Sequence, residues 1–134
     1  MENGIVKYIF GAKYVNHKRS VKLCKQLIRN VRSALRLTCI EVAYGVIIFT
    51  NYCKLKGNRT RAICTHNMLC VALMLSNKLL IDVPYKNTVW ANFMHLPLSY
   101  FNLLEHRFLR ETRFNIIPSD TEFRKIWKLL FTEV

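Results

Sequence analysis

Apolar positions recur at helical spacing along most of the chain. Cys24, Leu27, Ile28 and Val31 stand at i, i+3, i+4 and i+7, which predicts an amphipathic helix over 20–32. Lys22, Lys25, Arg29 and Arg32 form a basic stripe on another face of that helix. Residues 37–52 are apolar almost throughout. Val42, Val46, Ile47 and Ile48 are β-branched and would suit a strand, but about sixteen residues without a turn signal favour a helix buried on more than one side. A basic loop turning at Gly57-Asn58 is expected over 54–61. Residues 62–80 are the most hydrophobic segment. The run from Met68 to Leu75 is apolar all round, which places this helix at the centre of a bundle.

Asp82-Val-Pro84-Tyr85 breaks that helix. Asn87 is expected to cap a short helix reaching about Met94 and carrying Trp90 and Phe93. Pro97 suits the first turn of the next helix, with Phe101, Leu104, Phe108 and Thr112 along one face. Ser119-Asp-Thr-Glu122 is a capping box that opens a final helix, with Phe123, Ile126, Trp127 and Leu130 at i, i+3, i+4 and i+7. Residues 1–17 lack a clear period and read as an N-terminal tail or a packed extended arm, leaving 18–134 as one domain. There is no internal repeat and no low-complexity segment.

Composition sharpens this picture. The 134 residues suffice for one domain, and 51% hydrophobic residues exclude disorder as the main description. Only 4 glycines and 3 prolines argue against a sandwich or barrel, so the expected class is all-α. The cysteines (24, 39, 53, 64 and 70) are odd in number, in apolar contexts and without C-x-x-C spacing, so they read as reduced core thiols. The histidines (17, 66, 95 and 106) are scattered, so no metal is expected. Asn58-Arg-Thr60 is read as a chance sequon. Lys7 and Lys13 interrupt any signal peptide, and the longest charge-free apolar runs, such as 42–49 and 68–75, fall short of the ~18 residues a span needs. The expectation is an intracellular protein of the nucleus or cytoplasm with no membrane partner.

Charge is lopsided, with 21 Lys plus Arg against 8 Asp plus Glu. Nine of those cations fall in 1–36, where Glu2 is the one acid. The stripe Lys22, Lys25, Arg29, Arg32 reads either as a footprint for nucleic acid or an acidic protein surface, or as a solvated helix face. It lacks interleaved aromatics on which bases could stack. Catalysis is poorly supported. Four of the eight acids lie near the termini, and no G-x-S-x-G, H-E-x-x-H or P-loop spacing occurs, so the chain is read as a non-enzyme without cofactor.

The stretch Leu73-Met-Leu-Ser-Asn-Lys78-Leu-Leu-Ile-Asp-Val-Pro-Tyr-Lys-Asn-Thr-Val-Trp90 resembles the cyclin-box pattern A-x-x-L-A-S-K-x-x-x-D. It looks most like the small fungal cyclins of the phosphate-signalling type, which continue Y-x-N-x-x-W. Leu96-Pro-Leu-Ser-Tyr-Phe-Asn-Leu-Leu-Glu105-His-Arg-Phe-Leu109 is similar to the family's G-L-P-x-x-x-x-N-x-L-E-x-x-F-L, and Phe114-Asn-Ile-Ile117 to its F-x-L. Ile47-Ile48-Phe49-Thr-Asn-Tyr52 is a weaker match to Y-I-D-R-L, with Thr50 and Asn51 in place of its charges.

The resemblance implies a bundle of five core helices, the third at the centre, plus an N-terminal helix. It also implies a regulatory subunit that binds a cyclin-dependent kinase as a heterodimer and activates it allosterically. The positions matching the family's kinase-facing lysine and glutamate are Lys78 and Glu105; its hydrophobic contacts match Leu79, Leu109, Phe114 and Ile116. Read from the residues alone, the two charges could equally form a bridge within the domain, and the apolar four could be core, Leu109 least so. No counterpart of the substrate-docking M-R-A-I-L is found, and a second box is not expected in this length. The rival reading is a basic cyclin-fold module bound to nucleic acid or a transcription assembly.

Overall fold

A computed structural model of the chain describes residues 4–5, 8–9, 18–56 and 62–131. Six helices follow in order: α1 (Lys18–Ala34), α2 (Cys39–Lys56), α3 (Ala62–Leu80), α4 (Asn87–Phe93), α5 (Leu98–Glu111) and α6 (Asp120–Phe131). The described residues contain no strand, and the fold is all-α. No described helix is long and apolar enough to cross a membrane.

α3 is central because it has no polar face to give to solvent. Every residue from Met68 to Asn77 is buried. It packs most extensively on α2 and then on α1, with α5 on a further side. α2 also contacts α5 and α6. α1 contributes its predicted stripe, Cys24, Leu27, Ile28 and Val31, all buried. Burying an apolar side chain of this size stabilises by about 1.5–3 kcal/mol, which fixes α1 against α3 with its charges outward. Tyr52 of α2 stacks on Phe108 of α5 with ring centroids 4.4 Å apart.

Several local expectations are corrected. α2 begins at Cys39, because Thr38 and Glu41 form a capping box. The Thr38 amide and hydroxyl donate to Glu41 Oε1, and the Glu41 amide donates to Thr38 Oγ1, each at 3.2 Å. Residues 54–56 continue α2 rather than forming a loop, and the Gly57-Asn58 turn lies outside the described residues. The N-cap of α4 is Lys86, in extended backbone, not Asn87. Pro97 is likewise the N-cap of α5 rather than a residue of its first turn.

α6 follows the five helices of the implied core. The implied N-terminal helix falls mostly outside the described residues, although residues 4–5 and 8–9 are helical and Ile5 is fully buried. Four cysteines, Cys24, Cys39, Cys53 and Cys70, are free, with Cys24 and Cys70 buried. Burial pushes the Cys24 thiol up to about 12 and Cys53 up to about 11, so neither ionises near neutrality.

The capping box at Ser119 forms as expected and does a second job. Asn51 of α2 donates to Glu122 Oε2 at 3.0 Å, tying α6 to α2. Burial by itself would raise the Glu122 carboxyl, but hydrogen bonds from Asn51 and Ser119, with the Lys54 charge nearby, outweigh it and hold the group below its ordinary value. A carboxylate whose folded-state pKa is depressed contributes stability above its unfolded value and loses it as pH falls through the folded one. Glu122→Gln should therefore melt below the parent near neutrality, and the gap should close as pH falls below the ordinary carboxylate range. Circular dichroism melts at both pH values check this; a constant gap would assign the effect to shape rather than charge.

Candidate functional site

The site is assembled where the C-terminal end of α3 meets α5. Lys78 lies one residue beyond the buried run of α3, and its Nζ donates to Glu105 Oε2 of α5 at 2.6 Å. The lysine side chain is 34% exposed and the glutamate 17%. The two residues are 27 positions apart in sequence. The bridge is thus made within the chain and still opens to solvent. The other carboxylate oxygen, Oε1, accepts from Asn87 Nδ2 at 2.9 Å, and the same amide reaches Asn102 Oδ1 at 2.8 Å. Asn87, released from capping because Lys86 takes that place, is therefore a third arm of the ion pair. Sequence reading missed it by assigning its side chain to its own helix.

Apolar side chains lie on the same elements as these charges. On α5, Leu98, Asn102, Glu105 and Leu109 recur at helical spacing and share a face. Leu98 is exposed, and Leu109 is half-buried against the core. Leu79, next to Lys78, is 43% exposed; Ile81 and Val83 follow it, Val83 at 88%. Phe114 is 66% exposed, and its amide donates to Leu109 O at 2.8 Å, which holds it beside that face. Ile116 is half-buried against the core. Among the four family-matched apolar positions, Leu79 and Phe114 are the open ones, whereas Leu109, expected least to be core, packs partly inward.

Two features fix this surface in place. Phe114 adopts φ 60°, directly after Arg113 at φ 54°. A bulky side chain in the left-handed region costs about 1–2 kcal/mol, so the chain pays to turn an aromatic outward. Second, the segment after α3 is anchored by polar bonds. Asn77, buried, donates to Glu41 Oε2 at 2.8 Å and accepts from the Tyr85 amide at 3.0 Å. Tyr85 in turn donates its hydroxyl to Leu35 O at 2.9 Å and meets Trp90 edge-on, with centroids 6.5 Å apart. Nothing in this arrangement activates a nucleophile. It leaves an ion pair and apolar side chains open to solvent.

The basic stripe lies elsewhere. Lys22, Arg29 and Arg32 are exposed and Lys25 half-buried along α1. Among the described residues no three His, Cys, Asp or Glu side chains gather as metal ligands would.

No curated protein and no solved structure matches the chain. A family model described as Cyclin matches residues 20–116, which takes in α1 to α5 together with Lys78, Glu105 and Phe114. Cyclins are regulatory subunits rather than enzymes themselves. With the match covering well over half of its length and the helices in place, the chain belongs to the cyclin family.

Proposed function

We propose that this cyclin binds the catalytic subunit of a cyclin-dependent kinase through the Lys78–Glu105 face and activates it allosterically. The observation that carries the reading is the accessible ion pair, 2.6 Å long, with exposed Leu79 next to Lys78 and exposed Leu98 on the α5 face that carries Glu105. Scattered single apolar residues need no explanation, but several flanking one oriented charge pair suit an interface core with a polar registration point. The cyclin supplies no catalytic atom. Its face packs on the kinase's C helix and favours the position in which that helix's glutamate pairs with the ATP-binding lysine. Differential affinity for that position shifts the kinase population toward activity. Tyr85, Asn87 and Trp90 spell out the Y-x-N-x-x-W continuation, and each helps hold the face. This supports placing the chain with the small fungal cyclins of phosphate signalling.

The test is co-expression with cyclin-dependent kinase catalytic subunits, followed by size-exclusion chromatography and a phosphoryl-transfer assay. A one-to-one complex with activity raised at least about 100-fold over the kinase alone is expected (~2.7 kcal/mol of transition-state stabilisation). Failure of every catalytic subunit to co-elute would overturn the reading.

Phe114 separates binding from stability. Phe114→Gly should relieve the left-handed strain and raise the melting temperature by a few degrees, equivalent to about 1 kcal/mol. The same change should weaken kinase binding at least tenfold by removing an exposed aromatic anchor. Phe114→Ala should lose the binding without gaining the stability. Titration of the kinase against each variant, beside thermal melts, checks both arms.

A further inference from the structure

The cationic face of α1 ends in a hollow that the kinase-facing surface does not use. Arg29, Arg32, Ser33, Arg36 and Leu37 line it, and its volume is about 350 Å³. All three arginines are exposed. Among the described residues no acidic side chain lines the hollow, and the sequence of α1 contains none. Arg36 follows the helix with φ 55°, where the chain turns toward α2. The contacts made here by Arg32 and Ser33 are weak: Arg32 Nη2 lies 3.8 Å from Cys39 Sγ, and the Ser33 hydroxyl donates to Asn30 O at 3.3 Å. The Arg32 and Arg36 guanidinium groups share one small opening and repel one another, and an anion seated between them turns that repulsion into attraction.

We propose that this hollow docks a phosphomonoester carried by a partner protein, a phosphoserine or phosphothreonine in an extended segment. The guanidinium fork matches phosphate oxygens two at a time, which a lysine cannot do. A phosphomonoester near neutral pH carries close to two negative charges, so it balances the charges of Arg32 and Arg36, where a backbone diester carries one. Ser33 adds a hydroxyl donor, and Leu37 adds an apolar wall for a neighbouring side chain. Nucleic acid fits less well. The lining has no aromatic on which a base could stack, and a strand tracking the backbone would draw on the whole stripe rather than its end.

The hollow shares no residue with the Lys78–Glu105 face, so the two readings fail separately. The experiment uses the full chain and fluorescence anisotropy with three labelled probes: the peptide Ala-Ala-Leu-pSer-Leu-Ala-Ala, its unphosphorylated twin, and a single-stranded uridine oligonucleotide. The phosphopeptide should bind at least tenfold more tightly than its twin. The pair Arg32→Glu with Arg36→Glu should erase that preference, as should the milder pair Arg32→Gln with Arg36→Gln, each variant keeping its helical melt. Lys22→Glu with Lys25→Glu, centred roughly 13 Å up the helix from Arg32, should change phosphopeptide binding less than threefold. Equal binding of the two peptides would overturn the proposal, as would phosphopeptide binding indifferent to the arginines. Tighter binding of the oligonucleotide, lost equally through Lys22 and Lys25, would make the face a nucleic-acid track instead. Kinase co-elution measured on the arginine variants reports on the other face alone.

Discussion

Reversing the charge of Lys78 should abolish kinase capture while leaving the bundle folded. Lys78→Glu places a carboxylate against Glu105, and Glu105→Lys places two ammonium groups together, so each single variant presents a repulsive pair where an oriented bridge stood. The bridge opens to solvent, and pairs of that kind contribute about 0–1 kcal/mol to folding. Each variant should therefore melt only a few degrees below the parent. An interface that buries the pair responds far more strongly, because losing one partner leaves the other desolvated and unmatched, at about 2–5 kcal/mol, or roughly 30- to several-thousand-fold in affinity. The double reversal decides between a purely internal role and a partner-facing one. It restores a bridge within the domain and should restore the melting temperature. It also inverts the charge pattern shown to the kinase and should not restore binding. Recovery of both would make the bridge merely internal.

The largest effect on stability is expected at Gly45. A Cβ there would lie 2.7 Å from Leu73 Cδ2 and 3.0 Å from Leu73 Cα. The side-chain tip could rotate away, but the backbone atom could not, so α2 and α3 would have to part at the centre of the core. Alanine is better than glycine in a helix by about 1 kcal/mol, and at an exposed site Gly45→Ala would stabilise. Here the overpacking should dominate, costing about 1–3 kcal/mol net and lowering the melting midpoint by roughly 5–10 °C. Gly45→Val adds two further methyl groups at the same contact and should lower the midpoint well beyond the alanine variant. An alanine variant as stable as the parent would mean that the helices do not cross at that point.

Periodicity made most of the fold legible. The stripe Cys24, Leu27, Ile28, Val31 requires one buried face, and the run 68–75 requires burial all round, whatever the partner elements are. The pairing of Lys78 with Glu105 could be anticipated only through the family pattern. The residues by themselves show that a charge in an apolar setting needs a partner, not which one. Asn87 was misread because capping is a local rule, and here the local donors were left to a residue without a capping side chain while the amide reached across to α5. The Thr38–Glu41 box was overlooked inside a run read for hydrophobicity, although its spacing is as clear as that of Ser119 and Glu122. Gly45 carries no signal at all in one sequence. Its meaning arises from the closeness of two helix axes, which no spacing within a single helix encodes.

The bonds that Tyr85 makes to Leu35 and Asn77 have a thermodynamic corollary for whatever lands on the segment between α3 and α4. That segment surrendered its conformational freedom when the bundle folded, so an arriving protein need not freeze it. Each rotamer-rich side chain spared immobilisation saves about 0.5–1.5 kcal/mol of association free energy, and such savings appear chiefly as longer residence times. Loss of the Tyr85 hydroxyl, as in Tyr85→Phe, would be felt by that partner as faster escape.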